Sequence, residues 1–114
     1  MLHKVYVYGT LRKGGRLSGA LEHSEYVATE IARGFRLYNI GWYPGVKKTD
    51  NPNDNLLVES YNVTDDVLLH LDHIEGHPSL FLRTPWNGGY IYIYQGEVRE
   101  ENRIESGDWF KQAN

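Results

Sequence analysis

Two separated segments carry residue types that could act together on a small molecule. The first, residues 7–12 (VYGTLR), follows an alternating apolar run and enters a polar turn at Gly9. We expect Gly9 to adopt a positive φ, which would leave successive N–H groups pointing at one spot. Such a cluster of donors binds a carboxylate or a developing oxyanion. The alternative is a turn that only reverses the chain, since glycine-rich turns commonly follow strands.

The second segment, residues 71–76 (LDHIEG), contains Glu75, the candidate acid–base group. It closes an expected helix in which Asp72 shares the last turn, where the helix dipole disfavours negative charge. We expect repulsion between the two carboxylates, together with the dipole, to raise the pKa of one of them. A pKa near the working pH suits a general base. An ordinary solvated pair of acids at a helix end is the alternative.

Three histidines on or near the same helix raise the possibility of a metal site. His70, His73 and His77 are three and four positions apart. Gly76 and Pro78 break the helix before His77 could align with the others, so we predict no metal centre. The core needs the other face of the helix, so we expect His70 and His73 at the surface.

A nucleic-acid site is also disfavoured. Residues 33–38 (RGFRLY) are similar to an aromatic RNA-binding strand, but Arg36 occupies a position where that strand needs a small residue. The formal net charge of −3 gives no basic footprint for nucleic acid.

Length and composition limit the remaining classes. A chain of 114 residues predicts a single domain spanning residues 1–114. The sequence contains no cysteine, which excludes disulfides and thiolate chemistry. It shows no signal-peptide core and no apolar stretch near the roughly 20 residues of a membrane span. We therefore expect a cytoplasmic protein without a membrane partner.

The expected elements are mostly strands around one main helix. Thr64 is a good N-cap for a helix that Gly76 closes, and residues 17–21 could form a short second helix. Residues 41–46 are expected to form a structured loop, and the polar residues 47–55 a mobile excursion. Residues 81–86 should be an edge strand, and residues 90–94 (YIYIY) a strand with isoleucines inward and tyrosines outward. Few helical crossings and many strands predict an α+β fold, a small mixed, curved or barrel-like sheet with one main and one or two short helices.

Several segments together resemble the γ-glutamylcyclotransferase-like (AIG2-like) family, most closely its small bacterial members. The family patterns V-Y-G-[ST]-L-R, Y-P-G, L-D-x-x-E-G and S-G-D-W are matched by residues 7–12, 43–45, 71–76 and 106–109. Two positions depart from the family patterns. Val58 replaces the glycine of a G-E-x-Y strand, which could crowd the pocket, and Phe81 replaces the tyrosine of Y-x-R, which removes a hydroxyl.

The resemblance implies an enzyme that releases an amine from a small-molecule γ-glutamyl compound and forms 5-oxoproline, with no cofactor. It implies Glu75 as the general acid and base. The implied substrate-binding residues are Tyr8, Gly9, Thr10, Leu11, Arg12 and Tyr43, with a surface role equally open for Arg12. The leaving group is left open, and a monomer or weak homodimer is expected. A non-catalytic small-molecule-binding module, or a protein-interaction module using the tyrosine-rich strand, is the alternative on the same fold.

Overall fold

The computed structural model describes residues 1–112. Within this range the elements in chain order are β1 (Leu2–Val7), β2 (Glu25–Arg33), β3 (Phe35–Asn39), β4 (Pro44–Lys48), β5 (Asn55–Thr64), α1 (Asp65–Glu75), β6 (Phe81–Trp86), β7 (Gly89–Tyr94) and β8 (Arg103–Ile104). Two 3₁₀ helices, Ser18–Leu21 and Glu100–Asn102, complete the set. No helix in the described range has the length and apolar character needed to cross a membrane.

The strands form two sheets. The larger sheet has the order β2-β5-β1-β7-β6, in which β1 and β7 run parallel and the other neighbours antiparallel. The smaller sheet is antiparallel, with the order β4-β3-β8. The mixed sheet with one α-helix confirms the predicted α+β class, and β6 lies at a sheet edge as expected.

Strand β1 lies at the centre of the larger sheet and is covered on both faces. Val5 and Val7 pack with Leu68 and Leu71 of α1, whereas Tyr6 and Tyr8 belong to the core shared with the smaller sheet. A strand covered on both faces is apolar without alternation, which explains the continuous buried run at the end of β1. The chain therefore leaves β1 in the protein interior, beside both layers.

Helix α1 begins and ends where the sequence predicts. The Thr64 hydroxyl accepts a hydrogen bond from the Val67 N–H at 3.3 Å, which satisfies one free donor of the first turn. Gly76 ends the helix in the left-handed conformation with φ of 65°, which glycine adopts without steric cost. Glu75 is thus the last helical residue, held on a well-defined helix terminus.

The prediction that the tyrosines of β7 face outward into solvent is wrong. Ile91 and Tyr92 are both buried, at 0% and 2% exposure, and Tyr90 and Tyr94 are half-buried. Ile91 packs into the core between the sheets, and Tyr92 packs on the α1 side. Since β7 lies between β1 and β6 with layers on both faces, neither of its faces is solvent-facing.

The segment expected as a loop and a mobile excursion is also more ordered than predicted. Residues Pro44–Lys48 form β4, which pairs with β3, and Lys47 donates to the Tyr94 carbonyl at 2.6 Å. Asp54 is buried and accepts hydrogen bonds from Arg36 at 2.7 Å and Arg103 at 2.9 Å. These contacts fix both ends of the polar segment.

Candidate active site

The two segments singled out in the sequence meet at one cavity, which we call the inner cavity. It has a volume of about 30 Å³ and lies where the end of β1, the loop before β4, the end of α1 and the middle of β7 converge. Its walls are formed by Tyr6, Val7, Tyr8, Gly9, Thr10, Leu11, Tyr43, Pro44, Glu75 and Tyr92. Six of the seven predicted site residues are therefore brought together, and Arg12 is not.

Among residues 1–112, Glu75 contributes the one carboxylate on the wall of the inner cavity. The side chain is half-buried, and within residues 1–112 its carboxylate has no hydrogen-bond donor. Burial raises the pKa of Glu75 to about 7, because the charged form loses hydration that no partner replaces. An acid with these properties accepts and returns protons near neutral pH.

The cause of this pKa shift differs from the predicted one. Asp72 does not face Glu75 as an opposing charge; it pairs with Arg83 at 2.9 Å and accepts a hydrogen bond from the Tyr92 hydroxyl at 2.7 Å. Its negative charge is therefore compensated locally. The direction of the predicted pKa shift is confirmed, whereas desolvation, rather than carboxylate repulsion, produces it.

The turn after β1 lies on the wall of the inner cavity and contains amides without an acceptor in the described part of the chain. Its carbonyl groups are engaged, since Gly9 O accepts from Arg12 N at 2.9 Å and Thr10 O from Leu17 N at 2.8 Å. The amide N–H groups of Gly9, Thr10 and Leu11 have no acceptor among the described residues. Buried amides of this kind need a partner, which an anionic group in the cavity would supply.

Gly9 is required here for a different reason from the one predicted. Its φ is not positive. A Cβ added at Gly9 would instead lie 2.1 Å from Cγ of Pro44, well inside any permitted contact. The absence of a side chain lets the turn pack directly against the Pro44 ring, and both residues lie on the wall of the inner cavity.

Two predicted tyrosines line the inner cavity. Tyr8 is buried and donates its hydroxyl to the Tyr92 carbonyl at 2.6 Å. Burial, followed by the nearby Glu75 charge, raises the pKa of Tyr8 well above its ordinary value. The pKa of Tyr43 is raised as well, first by burial. Both hydroxyls therefore stay protonated near neutral pH and offer neutral polar groups beside Glu75.

Arg12 does not belong to the wall of the inner cavity and instead forms buried ion pairs beside the turn. Its side chain is buried, with Nε 2.9 Å from Glu59 and Nη1 2.8 Å from Asp108. Glu59 also accepts the Lys13 N–H and the Tyr61 hydroxyl, both at 2.9 Å. Neither predicted role of Arg12, substrate attraction or a surface position, agrees with this geometry. We call the three charged side chains Arg12, Glu59 and Asp108 the ion triad.

Sequence reasoning missed four wall residues of the inner cavity, namely Tyr6, Val7, Pro44 and Tyr92. The alternation in residues 90–94 predicts Tyr92 on the outside of β7, and no local pattern shows that both faces of that strand are covered. The two departures from the family patterns lie elsewhere. Val58 is buried in the core between the sheets, and Phe81 packs against Tyr43 with ring centroids 5.9 Å apart. Neither belongs to the wall of the inner cavity.

The histidines near α1 do not gather around a common point. His70 and His73 are exposed, as predicted, and His77 Nδ1 accepts the Arg83 N–H at 2.9 Å. Over residues 1–112, no group of three or more histidine, aspartate or glutamate side chains is close enough to share a metal ion.

Comparison with known proteins identifies the family of this chain. The family model described as "Gamma-glutamyl cyclotransferase, AIG2-like" matches residues 5–111. The chain belongs to this family. A Vibrio cholerae protein named "Putative gamma-glutamylcyclotransferase" is 37% identical over 96% of both chains. The Escherichia coli "Gamma-glutamylcyclotransferase family protein YtfP" is 28% identical over 93% of this chain and 95% of its own.

Two solved structures of similar proteins share the fold. The Pyrococcus horikoshii protein PH0828 superposes with a TM-score of 0.75 at 26% identity, covering 94% of this chain and 89% of its own. The solution structure of Escherichia coli YtfP gives a TM-score of 0.69 at 28% identity, with 93% and 95% covered. The AIG2-like assignment thus covers sequence and three-dimensional structure over nearly the full length of the chain.

Proposed function

We propose that this AIG2-like protein converts a γ-glutamyl amine compound into 5-oxoproline and the free amine. The α-amino nitrogen of the substrate forms a bond to its own γ-carbonyl carbon, and the γ-amide C–N bond breaks. Nucleophile and electrophile are already tethered in one molecule. Binding the substrate in a conformation that brings the two groups together therefore supplies much of the rate enhancement. The observation that carries the proposal is that one cavity is lined both by Glu75, whose carboxylate has no donor in the described part of the chain, and by residues 9–11, whose amides have no acceptor there.

Glu75 would move the protons that the reaction requires. The substrate's α-ammonium group has three protons, and the lactam nitrogen of the product has one. Two protons must therefore pass to the leaving nitrogen, which departs as an ammonium ion. A carboxylate with a pKa of about 7 is matched to both the removal and the return of these protons.

The turn at residues 9–11 would bind the negative charge. Backbone N–H groups at a strand end hold a carboxylate or the oxyanion that forms when the γ-carbonyl is attacked. Tyr8 and Tyr43 would line the space between this turn and Glu75 as neutral groups. The site would then combine a fixed array of donors with one carboxylate that transfers the two protons one at a time, which is the arrangement that this cyclisation needs.

Substitution of Glu75 tests the proposal. Glu75→Gln retains the size of the side chain and removes the base, so 5-oxoproline formation from a panel of γ-glutamyl amines should fall about 10²–10⁴-fold. Glu97→Gln, at an exposed glutamate away from the cavity, is the matched control and should retain wild-type turnover. Ordinary turnover by Glu75→Gln would overturn the catalytic assignment. Binding of the panel without 5-oxoproline release by the wild-type protein would favour the non-catalytic module instead.

A further inference from the structure

The four sheet edges in the described part of the chain are not equally protected against pairing with another strand. β6 contains Pro85 and β4 begins at Pro44, and proline lacks the N–H that would pair with an added strand. β8 is only two residues long. β2, by contrast, forms an edge of the larger sheet over nine residues, Glu25–Arg33, and contains no proline. Because long unprotected edges pair readily with a further strand, β2 is the edge within residues 1–112 that is most open to a partner.

Alternate backbone groups of β2 point away from the rest of the protein. The Leu57 N–H donates to the Gly107 carbonyl at 2.8 Å, so it does not bond to β2, although Leu57 lies opposite Ile31 in the ladder. Ile31 therefore belongs to a pair without hydrogen bonds to β5, and it directs its own N–H and C=O groups to the outer edge of β2. Thr29 and Arg33, two positions away on either side, do the same. In the described range β5 is the one strand that pairs with β2, so these groups have no strand partner.

The exposed side chains of β2 include three large apolar groups. Tyr26, Val27 and Ile31 are 53%, 41% and 50% exposed. Tyr26 and Val27 lie at a β-bulge in the ladder with β5, and Ile31 lies in the regular part that follows. Single apolar side chains are common on protein surfaces, but here three are grouped on one strand whose outer edge is free. A partner strand would cover both these side chains and the backbone groups between them.

The charges of β2 have opposite signs at its two ends. Glu25 is the first residue of the strand and Arg33 the last, and both are exposed. Within residues 1–112 neither forms an ion pair; Glu25 accepts from Asn62 at 2.7 Å, and Arg33 donates to Asn55 at 3.4 Å. A second β2 strand running antiparallel brings the acidic end of each strand to the basic end of the other. A parallel one would bring like charges together, which is destabilising.

We infer that β2 pairs antiparallel with β2 of a second copy of this chain and joins the two five-stranded sheets into one continuous sheet. The pairing is centred on Thr29, whose outward N–H and C=O groups meet those of the partner's Thr29. In this register Glu25 lies beside the partner's Arg33, and the dimer contains this contact twice. The interface uses one strand edge only, so the dimer is weak, with a Kd above about 1 µM.

The side chains of β2 favour this register over its neighbours. It places Ile31 beside the partner's Val27, so that the exposed apolar groups cover one another. Pairing centred on Glu30 would place two carboxylates directly opposite one another. Pairing centred on Ile31 would separate Glu25 from the partner's Arg33 and leave both charges without a counterpart.

Charge reversal in separate chains tests the pairing. In a dimer of either Glu25→Arg or Arg33→Glu, like charges meet at both ends of the paired strands, so each variant alone should show a Kd about tenfold above that of the wild type. An equimolar mixture of the two variants restores opposite charges at both ends and should dimerise with the wild-type Kd. Sedimentation equilibrium up to about 1 mM protein measures these values. Recovery in the mixture requires contact between chains, which a change in the stability of one chain does not produce.

An exposed apolar residue on each edge of the larger sheet provides a matched pair of variants. Ile31→Lys places a cation on the outer edge of β2 and should abolish dimer formation up to about 1 mM protein. Leu82→Lys, on β6 and 40% exposed, should leave the Kd unchanged. Because β2 contributes no residue to the wall of the inner cavity, the result does not depend on whether the protein turns over a γ-glutamyl compound.

Cross-linking locates the centre of the pairing. The chain contains no cysteine, so a single introduced thiol can form only an intermolecular disulfide. Thr29→Cys places two thiols next to the two-fold axis of the dimer, where their effective concentration is high. Under mild oxidation this variant should cross-link faster than Leu82→Cys at the same protein concentration.

Three results would overturn the inference. The first is a wild-type protein that stays monomeric at about 1 mM, and the second is a dimer whose Kd is unchanged in Ile31→Lys. The third is a mixture of Glu25→Arg and Arg33→Glu that dimerises no better than either variant alone, because antiparallel pairing of β2 requires the recovery.

Discussion

Glu75 shows how burial can bring the pKa of a single carboxyl group close to neutral pH at a cost to the stability of the fold. Its carboxylate lies at the cavity wall without a hydrogen-bond donor in the described part of the chain, whereas neighbouring Asp72 is fully engaged by Arg83 and Tyr92. Ionisation of Glu75 in the folded protein is therefore penalised relative to the unfolded chain, where water surrounds it. The same burial that gives a proton acceptor near pH 7 lowers the stability of the native state.

The effect on stability depends on pH in a defined direction. Because the folded pKa of about 7 is above the ordinary value, the folded state binds more protons, and its stability falls as pH rises from the unfolded pKa through the folded one. Glu75→Gln removes this ionisation. We expect it to match the wild type in stability near pH 4 and to exceed it at pH 8, by up to about 3 kcal/mol. Denaturant unfolding at both pH values measures the difference, and an equal effect at pH 4 and pH 8 would contradict it.

At the scale of elements, the sequence predicts the bounds of a helix better than it predicts how the helix and the two sheets stack on one another. The bounds of α1 follow from Thr64 and Gly76, since a cap acts on its own turn. The orientation of Tyr92 depends instead on α1 and the smaller sheet covering opposite faces of the larger one, which no local pattern reports. Pro44 and Gly45 are poor strand formers, yet pairing with β3 over five residues outweighs their propensity and places Pro44 against Gly9.

The contact between the β1 turn and β4 makes Gly9 sensitive to the smallest substitution. Gly9→Ala would place a methyl group 2.1 Å from Cγ of Pro44, so the turn or β4 must move. We expect a loss of about 1–3 kcal/mol in unfolding free energy, and a loss of 5-oxoproline formation beyond what stability explains. Gly19→Ala is the control, because nothing lies within 4 Å of its Cβ position. Equal behaviour of the two variants would show that the contact does not constrain the turn.

At the scale of the whole molecule, the ion triad joins three distant parts of the chain. Arg12 follows the β1 turn, and its partners Glu59 and Asp108 are 47 and 96 positions further along. All three side chains are at most 12% exposed. The motifs that contain them were evident in the sequence, but spacing alone does not reveal that they meet. Through the ion triad, the turn after β1 is held by buried charged groups and is connected to the last part of the described chain. There Asp108 also accepts the Phe110 N–H.

A double-mutant cycle tests whether the ion triad acts as one unit. Arg12→Met leaves two buried carboxylates without their cation, and we expect it to lower the unfolding free energy by about 3–5 kcal/mol. Once Asp108 is already changed to Asn, the same substitution should cost less, with a coupling of about 0.5–3 kcal/mol. Glu101→Gln, which removes the exposed pair with Arg99, should change stability by under about 1 kcal/mol. If urea unfolding shows that the free-energy changes of Arg12→Met and Asp108→Asn are strictly additive, the C-terminal segment stabilises the fold independently of the turn after β1.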